Sequence, residues 1–471
     1  MERFDLVVLG CGPAGERAAI HAARAGKRVA VVERAHVVGG NRVNWGTIPS
    51  KTLRESAIFY LSLTRNKLHG IRVEIDENVQ VGEFMHRERQ VVQRELEFAS
   101  RSLARYEIQV IHGHGRLRGV GAVAVALPAG QGERLLRADV IIIATGSRPN
   151  RPADVPFDGR AVFDSETILA MPRLPRSLTV LGAGVIGVEY ASIFAALGIP
   201  VTLVDTRDRL LPYLDRQIVA RFETELARLG VTLVHADRYR EIQVRPGEPP
   251  TVRCLTAAGR LLESEALLYC VGRDGNSDDI GLETVGLVPN AYGLIPVDEN
   301  YRTGVPGLYA VGDVIGYPAL ASTSMEQGRR AARHAFGIPG PLGPTNDMPF
   351  AIYAIPEISY VGLTEEQARQ RAISPVIGLA HYGANPRGQI IGDEGGVLKL
   401  VFDGADGRLL GAHLMGSSAS ELIHIGQAFL RGGATAEQIA ETFYNYPTLA
   451  DLYRHAALVA LGELRRRHGG G

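Results

Sequence analysis

The chain has 471 residues, which is too long for one hydrophobic core and fits about three domains. Its 51 basic and 51 acidic residues give a formal net charge of zero, which argues against binding to nucleic acid through overall charge. The sequence has no run of about 18 uncharged apolar residues, so nothing is expected to span a membrane. Three cysteines are too few for a disulfide framework or a Cys-rich metal site, and the amino terminus has no signal-peptide pattern. We therefore expect a cytoplasmic protein without a metal.

A glycine-rich turn follows the first apolar run of the chain. Residues 6–9 read as a strand, 17–25 as an Ala-rich helix and 29–32 as the next strand. A Gly-x-Gly-x-x-Gly turn in this position holds dinucleotide phosphates at the helix N-terminus, and an acidic residue after the second strand binds a ribose. The candidate cofactor-binding residues of this unit are Gly10, Gly12, Pro13, Ala14, Gly15, Glu33 and Arg34.

The same pattern occurs a second time. Strands are predicted over 177–181 and 200–204, with a helix over 188–197 between them. Asp205 follows Gly182 by the spacing that separates Glu33 from Gly10. Two copies of this unit predict two dinucleotide sites on two domains. The candidate residues of the second copy are Gly182, Gly184, Val185, Ile186, Gly187, Asp205, Thr206 and Arg207.

The stretch from Gly39 to Lys51 resembles the redox helix of the flavoprotein disulfide reductase superfamily, and the resemblance runs from end to end of the chain. That superfamily carries Cys-x4-Cys before Ile-Pro-Ser-Lys, whereas Arg42 and Thr47 occupy the two cysteine positions here. The resemblance implies a bound FAD and a scaffold that delivers hydride to it. The thiols that would pass electrons to a disulfide are missing.

The resemblance also implies individual contacts with FAD. The stretch 308–314 is similar to the second FAD-binding motif, in which Asp313 should hold the ribityl chain. Ala321 should line the flavin, and His114 with Gly115 should cover the adenine. A metal role for His112 and His114 is disfavoured because no acidic or thiol partner lies near them in sequence. The remaining candidate cofactor-binding residues are Arg42, Lys51, Thr145, Gly146, Gly272, Arg273 and Gly312.

Five residues are candidates for a catalytic role, and the resemblance supplies their functions. It places Lys51 near flavin N5 in a salt bridge to Glu189, where a cation favours the reduced flavin; a purely structural pair is the alternative. Tyr446 and Asp451 stand where the reductases carry a His/Glu dyad that protonates the thiols across the dimer. A phenol with a reference pKa of about 10 does not serve as a thiol base near neutral pH. Thr47 is the fifth candidate.

These observations predict an α/β fold with two Rossmann-like dinucleotide-binding domains and a C-terminal α+β interface domain that forms a homodimer. The predicted FAD-binding domain is discontinuous, 1–150 and 274–344. The predicted NAD(P)-binding domain is 151–273, and the interface domain is 345–471.

Within the superfamily, residues 45–51, 206–211 and 444–448 resemble the soluble pyridine nucleotide transhydrogenases, which keep a single cysteine at the position of Arg42. The resemblance implies FAD-dependent hydride transfer between NADH/NAD⁺ and NADPH/NADP⁺ in two half-reactions. Two alternatives stay open: an NAD(P)H:quinone or dye oxidoreductase of the same fold, and a non-catalytic FAD-binding redox sensor.

The loop after the second glycine unit gives mixed signals on nucleotide choice. Asp205 suits the ribose 2′-OH of NAD(H), whereas Arg207 and Arg209 suit the 2′-phosphate of NADP(H). In NADP-specific glutathione reductases the position of Thr206 is Arg. We therefore expect both nucleotides to be accepted. For Trp45, stacking on the flavin and simple packing are both possible.

Overall fold

The computed structural model describes residues 1–65, 85–340 and 348–467. The boundary predicted between residues 344 and 345 lies outside this range. Within the described residues, no helix combines the length and apolar character that crossing a membrane requires. The helices are α1 (Pro13–Arg24), α2 (Gly40–Asn44), α3 (Thr47–Arg65), α4 (His86–Arg105), α5 (Val185–Ala196), α6 (Arg216–Leu229), α7 (Ala321–Phe336), α8 (Glu365–Gln370), α9 (Pro386–Ile391), α10 (Ala419–Arg431), α11 (Ala436–Glu441) and α12 (Leu452–Arg467).

The described strands form three larger sheets and two small ones. The strands are β1 (Glu2–Leu9), β2 (Val29–Glu33), β3 (Gln109–His112), β4 (His114–Leu117), β5 (Ala122–Ala126), β6 (Glu133–Ile143), β7 (Ser147–Pro149), β8 (Val162–Asp164), β9 (Leu178–Leu181), β10 (Val201–Val204), β11 (Val231–Val234), β12 (Tyr239–Arg245), β13 (Thr251–Thr256), β14 (Leu261–Ser264), β15 (Ala266–Tyr269), β16 (Arg273–Gly275), β17 (Leu308–Ala310), β18 (Phe350–Ile352), β19 (Ile358–Gly362), β20 (Pro375–His381), β21 (Val397–Asp403) and β22 (Leu409–Met415).

The first nucleotide-binding unit is built on β3-β2-β1-β6, which are parallel, with β17 also parallel to β6. The long strand β6 continues into an antiparallel meander with β5 and β4. Leu6 and Val8 of β1 pack with α1 and α7 on one face, and Val7 and Leu9 pack with the meander on the other. Burial on both faces explains why this strand reads as a continuous apolar run.

The second nucleotide-binding unit is the parallel sheet β11-β10-β9-β15-β8, with the antiparallel sheet β12-β13-β14 beside it. The chain leaves the first unit after β7 and returns through β16, and these two strands pair antiparallel. The crossings lie beside the predicted boundaries 150/151 and 273/274, and those boundaries stay predictions.

Residues 348–467, named here the C-terminal domain, contain the antiparallel sheet β18-β19-β22-β21-β20. Helices α10 and α12 cover it, and apolar side chains of both helices share a core with β21 and β22. The architecture is therefore the predicted α/β fold with two Rossmann-like units and an α+β C-terminal domain.

Two helices begin earlier than the sequence pattern suggests. Helix α1 starts at Pro13 rather than residue 17, and α5 starts at Val185 rather than residue 188. In both, the second half of the glycine turn forms the first helical turn, and the fixed φ of Pro13 suits that position.

Candidate active site

The three glycines of the first turn have different surroundings. Gly10 has φ +99°, and a Cβ there would lie 2.4 Å from the carbonyl oxygen of Ala144. A Cβ on Gly15 would lie 2.0 Å from the carbonyl oxygen of Gly10, so this position sets the close approach of helix and strand. At Gly12 a Cβ would lie 3.8 Å from Gly40 Cα, an ordinary van der Waals contact, so this position has room for a small side chain.

The second turn repeats this arrangement. Gly182 has φ +93°, and its Cβ would lie 2.8 Å from the Cys270 carbonyl oxygen; a Cβ on Gly187 would lie 1.8 Å from the Gly182 carbonyl oxygen. At Gly184 no described atom lies within 4 Å of the Cβ position. Gly12 and Gly184 are also the N-cap residues of α1 and α5, and no described side chain caps either helix. Each helix therefore presents free N–H groups and the positive end of its dipole to a ligand phosphate.

The acidic residue of the first unit is held by backbone groups. Glu33 Oε2 accepts a hydrogen bond from Cys11 N at 2.7 Å, and Oε1 accepts one from Ala35 N at 2.9 Å. The residue is 7% exposed and lies on the wall of the cavity described below. The two backbone donors therefore fix the orientation of this carboxylate at the end of β2, and its contact with a ribose stays a prediction.

The acidic residue of the second unit has the same backbone donors and one more partner. Asp205 Oδ2 accepts from Ala183 N at 2.5 Å, and Oδ1 accepts from Arg207 N at 2.9 Å. The Arg207 guanidinium then donates to both carboxylate oxygens, each at 2.7 Å. Burial alone would raise the pKa of Asp205, but the hydrogen bonds from Arg207 and from the backbone hold this pKa below its ordinary value.

A cavity of 920 Å³ lies where the two nucleotide-binding units meet the C-terminal domain. The predicted site residues on its wall are Gly10, Gly12, Pro13, Ala14, Glu33, Arg34, Arg42, Thr47, Lys51, His114, Gly115, Thr145, Gly146, Val185, Ile186, Glu189, Arg273, Gly312, Asp313 and Ala321. The predicted site residues away from this wall are Gly15, Gly182, Gly184, Gly187, Asp205, Thr206, Arg207, Gly272, Tyr446 and Asp451. The cavity therefore combines most of the predicted FAD contacts with the first turn of α5.

Lys51 and Glu189 form an ion pair on the cavity wall, with Lys51 Nζ 2.6 Å from Glu189 Oε2. The second oxygen of Glu189 accepts a hydrogen bond from Tyr353 N at 2.8 Å. The Tyr353 ring lies under the lysine, with its centroid 5.0 Å from Nζ. Tyr353 also lines the cavity, and nothing in the local sequence pattern identifies it because its partners are far away in the chain.

A chain of hydrogen bonds crosses from one nucleotide-binding unit to the other. Ser147 Oγ donates to Asp313 Oδ2 at 2.8 Å and accepts from Arg273 Nε at 2.8 Å. Arg273 Nη2 in turn lies 3.3 Å from Glu166 Oε1, and burial raises the pKa of Glu166. Ser147 and Glu166 line the cavity and were not singled out from the sequence. These hydrogen bonds connect Asp313, the predicted ribityl contact, to the second unit.

Three polar atoms on the cavity wall are buried and have no hydrogen-bond partner among the described residues: Asn41 Oδ1, Arg42 Nε and Thr145 Oγ1. Buried polar groups are normally paired, so these atoms point to a polar ligand. Together with the Gly12 backbone and the Glu33 carboxylate, they are groups that could bind the polar parts of FAD. The residues present fit this cofactor.

The positions of the family thiols hold groups without redox chemistry. Thr47 lies on the wall, and Arg42 Nη2 lies 3.1 Å from Glu16 Oε2. All three cysteines belong to the described residues, and none lines this cavity. Burial raises the pKa of Cys254 to about 11, and burial also raises the pKa of Cys11 and of Cys270. A thiolate is therefore not expected at neutral pH.

Tyr446 and Asp451 lie apart from the cavity of their own chain. Tyr446 is 75% exposed, and Asp451 Oδ2 lies 3.3 Å from His455 Nε2. Their predicted target is the flavin of a partner subunit, and this role stays a prediction.

Two further side chains on the wall are those of Trp45 and His424. Trp45 is 39% exposed there, so it does not fill a core. His424 also lies on the wall, with Nδ1 3.0 Å from Gln427 Oε1. In residues 1–65, 85–340 and 348–467, no group of three or more His, Cys, Asp or Glu side chains is arranged to hold a metal ion.

Comparison with known proteins identifies the family. Residues 4–328 match the model described as "Pyridine nucleotide-disulphide oxidoreductase", and residues 348–457 match the dimerisation domain of the same family. The chain belongs to this family. The predicted superfamily and fold class are thereby confirmed, together with the flavin and pyridine nucleotides that the family uses.

Relatives and solved structures are similar to this chain over nearly its whole length. A soluble pyridine nucleotide transhydrogenase from Mycobacterium bovis (strain BCG / Pasteur 1173P2) is 43% identical over 99% of this chain and 98% of its own length. Another from Pseudomonas savastanoi pv. phaseolicola is 41% identical over 98% and 99%. The crystal structure of LpdA from Mycobacterium tuberculosis superposes with a TM-score of 0.89 at 27% identity, covering 97% of this chain and 99% of that one. The HOCl-induced flavoprotein disulfide reductase RclA from Escherichia coli gives a TM-score of 0.85 at 27% identity, covering 97% and 100%.

Proposed function

We propose that this family member is an FAD-dependent transhydrogenase that moves hydride between NAD(H) and NADP(H). The observation that carries the proposal is the cavity wall, where the Lys51–Glu189 pair is present while Arg42 and Thr47 occupy the thiol positions. Relatives that are 43% and 41% identical over nearly their whole length bear the name soluble pyridine nucleotide transhydrogenase.

The first unit would hold FAD through its turn and two carboxylates. The free N–H groups of α1 suit the pyrophosphate, Glu33 suits the adenosine ribose, and Asp313 suits the ribityl chain. When bound, FAD supplies a group that accepts hydride from a reduced nicotinamide and returns it to an oxidised one.

The Lys51–Glu189 pair fixes a positive charge on the cavity wall. Glu189 is held by the Tyr353 N–H as well as by Lys51, so the ammonium group has little freedom. A cation that is already in place on the cavity wall would stabilise an electron-rich reduced flavin without reorganisation. Lys51 and Glu189 therefore favour acceptance of hydride, and the charge pair limits the cost of burying the lysine.

The first turn of α5 provides the nicotinamide side of the cavity. Val185 and Ile186 line it, and Tyr190 is 3% exposed, with its hydroxyl donating to Ser165 O at 3.3 Å. These side chains give this part of the wall an apolar surface, which would keep water away from a bound nicotinamide and protect the transferred hydride from side reactions. Gly184 and the α5 N-terminus would bind the nucleotide pyrophosphate.

The Asp205–Arg207 pair supports use of both nucleotides. Asp205 can accept from a ribose 2′-OH, and Arg207 can donate to a 2′-phosphate. Since each residue serves one of the two nucleotides, one site can serve both half-reactions in turn.

Trp45 supports a second candidate, an NAD(P)H:quinone or dye oxidoreductase. Its ring is 39% exposed on the cavity wall and could stack on a planar acceptor. The deciding experiment compares steady-state turnover with NADPH and an NAD⁺ analogue against turnover with NADPH and a quinone. The transhydrogenase predicts the higher kcat/KM with the NAD⁺ analogue, and the reverse order favours the quinone reductase.

We also infer a cytoplasmic homodimer whose contact lies in residues 345–471. The match of residues 348–457 to a dimerisation domain supports the dimer. Phe443 is 96% exposed in the single chain, as suits a side chain that a partner covers. The relatives' description as soluble supports the compartment.

A further inference from the structure

Both nucleotide-binding units form hydrogen bonds with residues 353–357, which are called the 353–357 segment below. Tyr353 N donates to Glu189 Oε1 at 2.8 Å, and Ile355 N donates to Ser192 Oγ at 3.0 Å. Both acceptors lie on α5 of the second unit. The segment joins β18 to β19 of the C-terminal domain, so it connects that domain to the helix that carries Glu189.

Arg54 binds the same segment from the first unit. It lies on α3, one turn after Lys51, and its side chain is 6% exposed. Its Nε donates to Ala354 O at 3.0 Å, and its Nη2 lies 2.9 Å from Glu357 Oε1. Side chains at i and i+3 share one face of a helix, so Arg54 fixes the segment beside the Lys51 ammonium group.

Glu357 extends the contact to α10. Its side chain is 11% exposed, and Oε2 accepts from both the N–H of Ser420, at 3.0 Å, and the Ser420 hydroxyl, at 2.9 Å. Ser420 lies in the first turn of α10 and lines the cavity. Arg54 and Glu357 therefore form a buried ion pair. Arg54 also binds the Ala354 carbonyl oxygen, and both carboxylate oxygens of Glu357 have partners.

We propose that Arg54 is a positioning residue for hydride transfer: with Glu357 it fixes the 353–357 segment, and through the Tyr353 N–H it sets the placement of the Glu189–Lys51 pair. This inference rests on the proposed function, because it assigns Lys51 and Glu189 to the hydride-transfer site.

The energetic reason is the cost of a buried charge without its partner. Removing the Arg54 guanidinium leaves Glu357 as a buried carboxylate with one oxygen unpaired, which is strongly unfavourable. The segment relieves this by shifting, and Tyr353 N then moves relative to Glu189. Displacements of about 1 Å in a positioning group can slow a reaction about 10²-fold. A lysine at position 54 keeps the charge but loses the planar fork that binds Ala354 and Glu357 together.

The test uses the FAD-loaded full-length protein in four variants: Arg54→Met, Arg54→Lys, Glu357→Gln and, as a matched control, Glu55→Gln. Glu55 also contacts Arg54, through Oε1 at 2.7 Å, but its side chain is 60% exposed. Anaerobic stopped-flow reduction by NADH alone gives the limiting rate and the apparent nucleotide Kd. Flavin content and the midpoint potential of the bound flavin are measured beside them.

We expect Arg54→Met to lower the limiting rate about 10²-fold and to lower the midpoint potential, with little change in Kd. Arg54→Lys should fall between Arg54→Met and wild type, Glu357→Gln should also be slow, and Glu55→Gln should match wild type. Variants that only lose thermal stability, while rate and potential stay at wild-type values, overturn the proposal. If Arg54→Met does not retain FAD, Arg54→Lys and Glu357→Gln decide by the same criterion. If wild type itself is not reduced by NADH or NADPH, the proposed function fails instead.

Discussion

Arg207 holds the carboxylate of Asp205 in a two-point contact, with Nε 2.7 Å from Oδ1 and Nη2 2.7 Å from Oδ2. The two residues that should act on opposite nucleotides are therefore bound to each other in the free chain. A ribose 2′-OH must compete with Arg207 for Asp205, and a 2′-phosphate must compete with Asp205 for Arg207. For either nucleotide, part of the favourable binding free energy is therefore offset by the cost of disrupting this ion pair.

We predict from this pair that NAD(H) and NADP(H) are used with kcat/KM values within about two orders of magnitude, a gap of about 2.7 kcal/mol. Charge-assisted hydrogen bonds contribute about 1.5–3 kcal/mol each, so the opposing effects nearly cancel. Steady-state kinetics with each nucleotide measures the ratio. Absolute dependence on one nucleotide in the wild type would favour the quinone-reductase alternative.

Substitutions should move this selectivity in opposite directions. Asp205→Asn removes the charge that repels a 2′-phosphate and should improve NADPH use while weakening NADH use. Arg207→Ala frees the carboxylate and should do the reverse. If Arg207→Ala leaves NADPH kinetics unchanged, the phosphate contact belongs to another group. Arg209, whose Nη2 donates to Pro212 O at 2.6 Å, is then the next candidate.

Substitutions of individual glycines in the two glycine-rich turns should have different effects on folding and on ligand binding. At Gly12 an added methyl group would make only an ordinary van der Waals contact, 3.8 Å from Gly40 Cα, so Gly12→Ala should fold normally but bind FAD weakly. At Gly15 the methyl group would lie 2.0 Å from Gly10 O, so Gly15→Ala should fold poorly. Overpacking of this kind lowers the free energy of unfolding by about 1–3 kcal/mol or more. Gly184→Ala should keep FAD and lose nucleotide affinity. Flavin absorbance, thermal unfolding and nucleotide titration separate the three outcomes, and equal FAD loss at Gly12 and Gly184 would contradict the assignment of the two turns.

Reduction should stop at two electrons per flavin, with no long-wavelength band from a thiolate beside the flavin. Thr47 does not ionise in the accessible pH range, and Arg42 is a cation. An anaerobic dithionite titration counts the electrons. Uptake of four electrons, or turnover with lipoamide or oxidised glutathione, is the result that this account does not allow.

The protein should form a two-fold dimer of 50.8 kDa chains, because an isologous contact completes both sites at once. Phe443→Glu should weaken the dimer and lower activity together, which sedimentation and turnover at matched concentrations can show. Val288→Glu is the control, since Val288 is 79% exposed but lies outside the C-terminal domain. A fully active monomer is incompatible with a partner contribution from Tyr446 or Asp451.

The sequence predicted those parts of the molecule that depend on local pattern. The spacing of Gly10 to Glu33 and of Gly182 to Asp205 identified two units, because turn, helix and strand lengths are set within some 25 residues. The match of Glu33 and Asp205 extends to the backbone N–H groups that bind each carboxylate. Resemblance to the family supplied the Lys51–Glu189 pair, which spans 138 residues.

The other contacts that depend on how the domains pack were not predicted. Tyr353, Arg54 and Glu357 bind partners that lie as far as about 300 residues away in the chain, and nothing in a one-dimensional pattern marks them. The sequence likewise showed Asp205 and Arg207 as neighbours but not that their side chains pair. That outcome depends on the rotamer of one arginine, which residue spacing alone does not determine.

The most direct test of hydride exchange is anaerobic stopped-flow mixing of the purified protein with each nucleotide in turn. Hydride exchange predicts a yellow protein whose flavin is bleached rapidly by both NADH and NADPH. It also predicts that flavin reduced by one nucleotide is reoxidised by the oxidised form of the other, without oxygen or a quinone. A flavin that neither nucleotide bleaches, or that the second nucleotide does not reoxidise, would show that the protein does not exchange hydride between the two nucleotides.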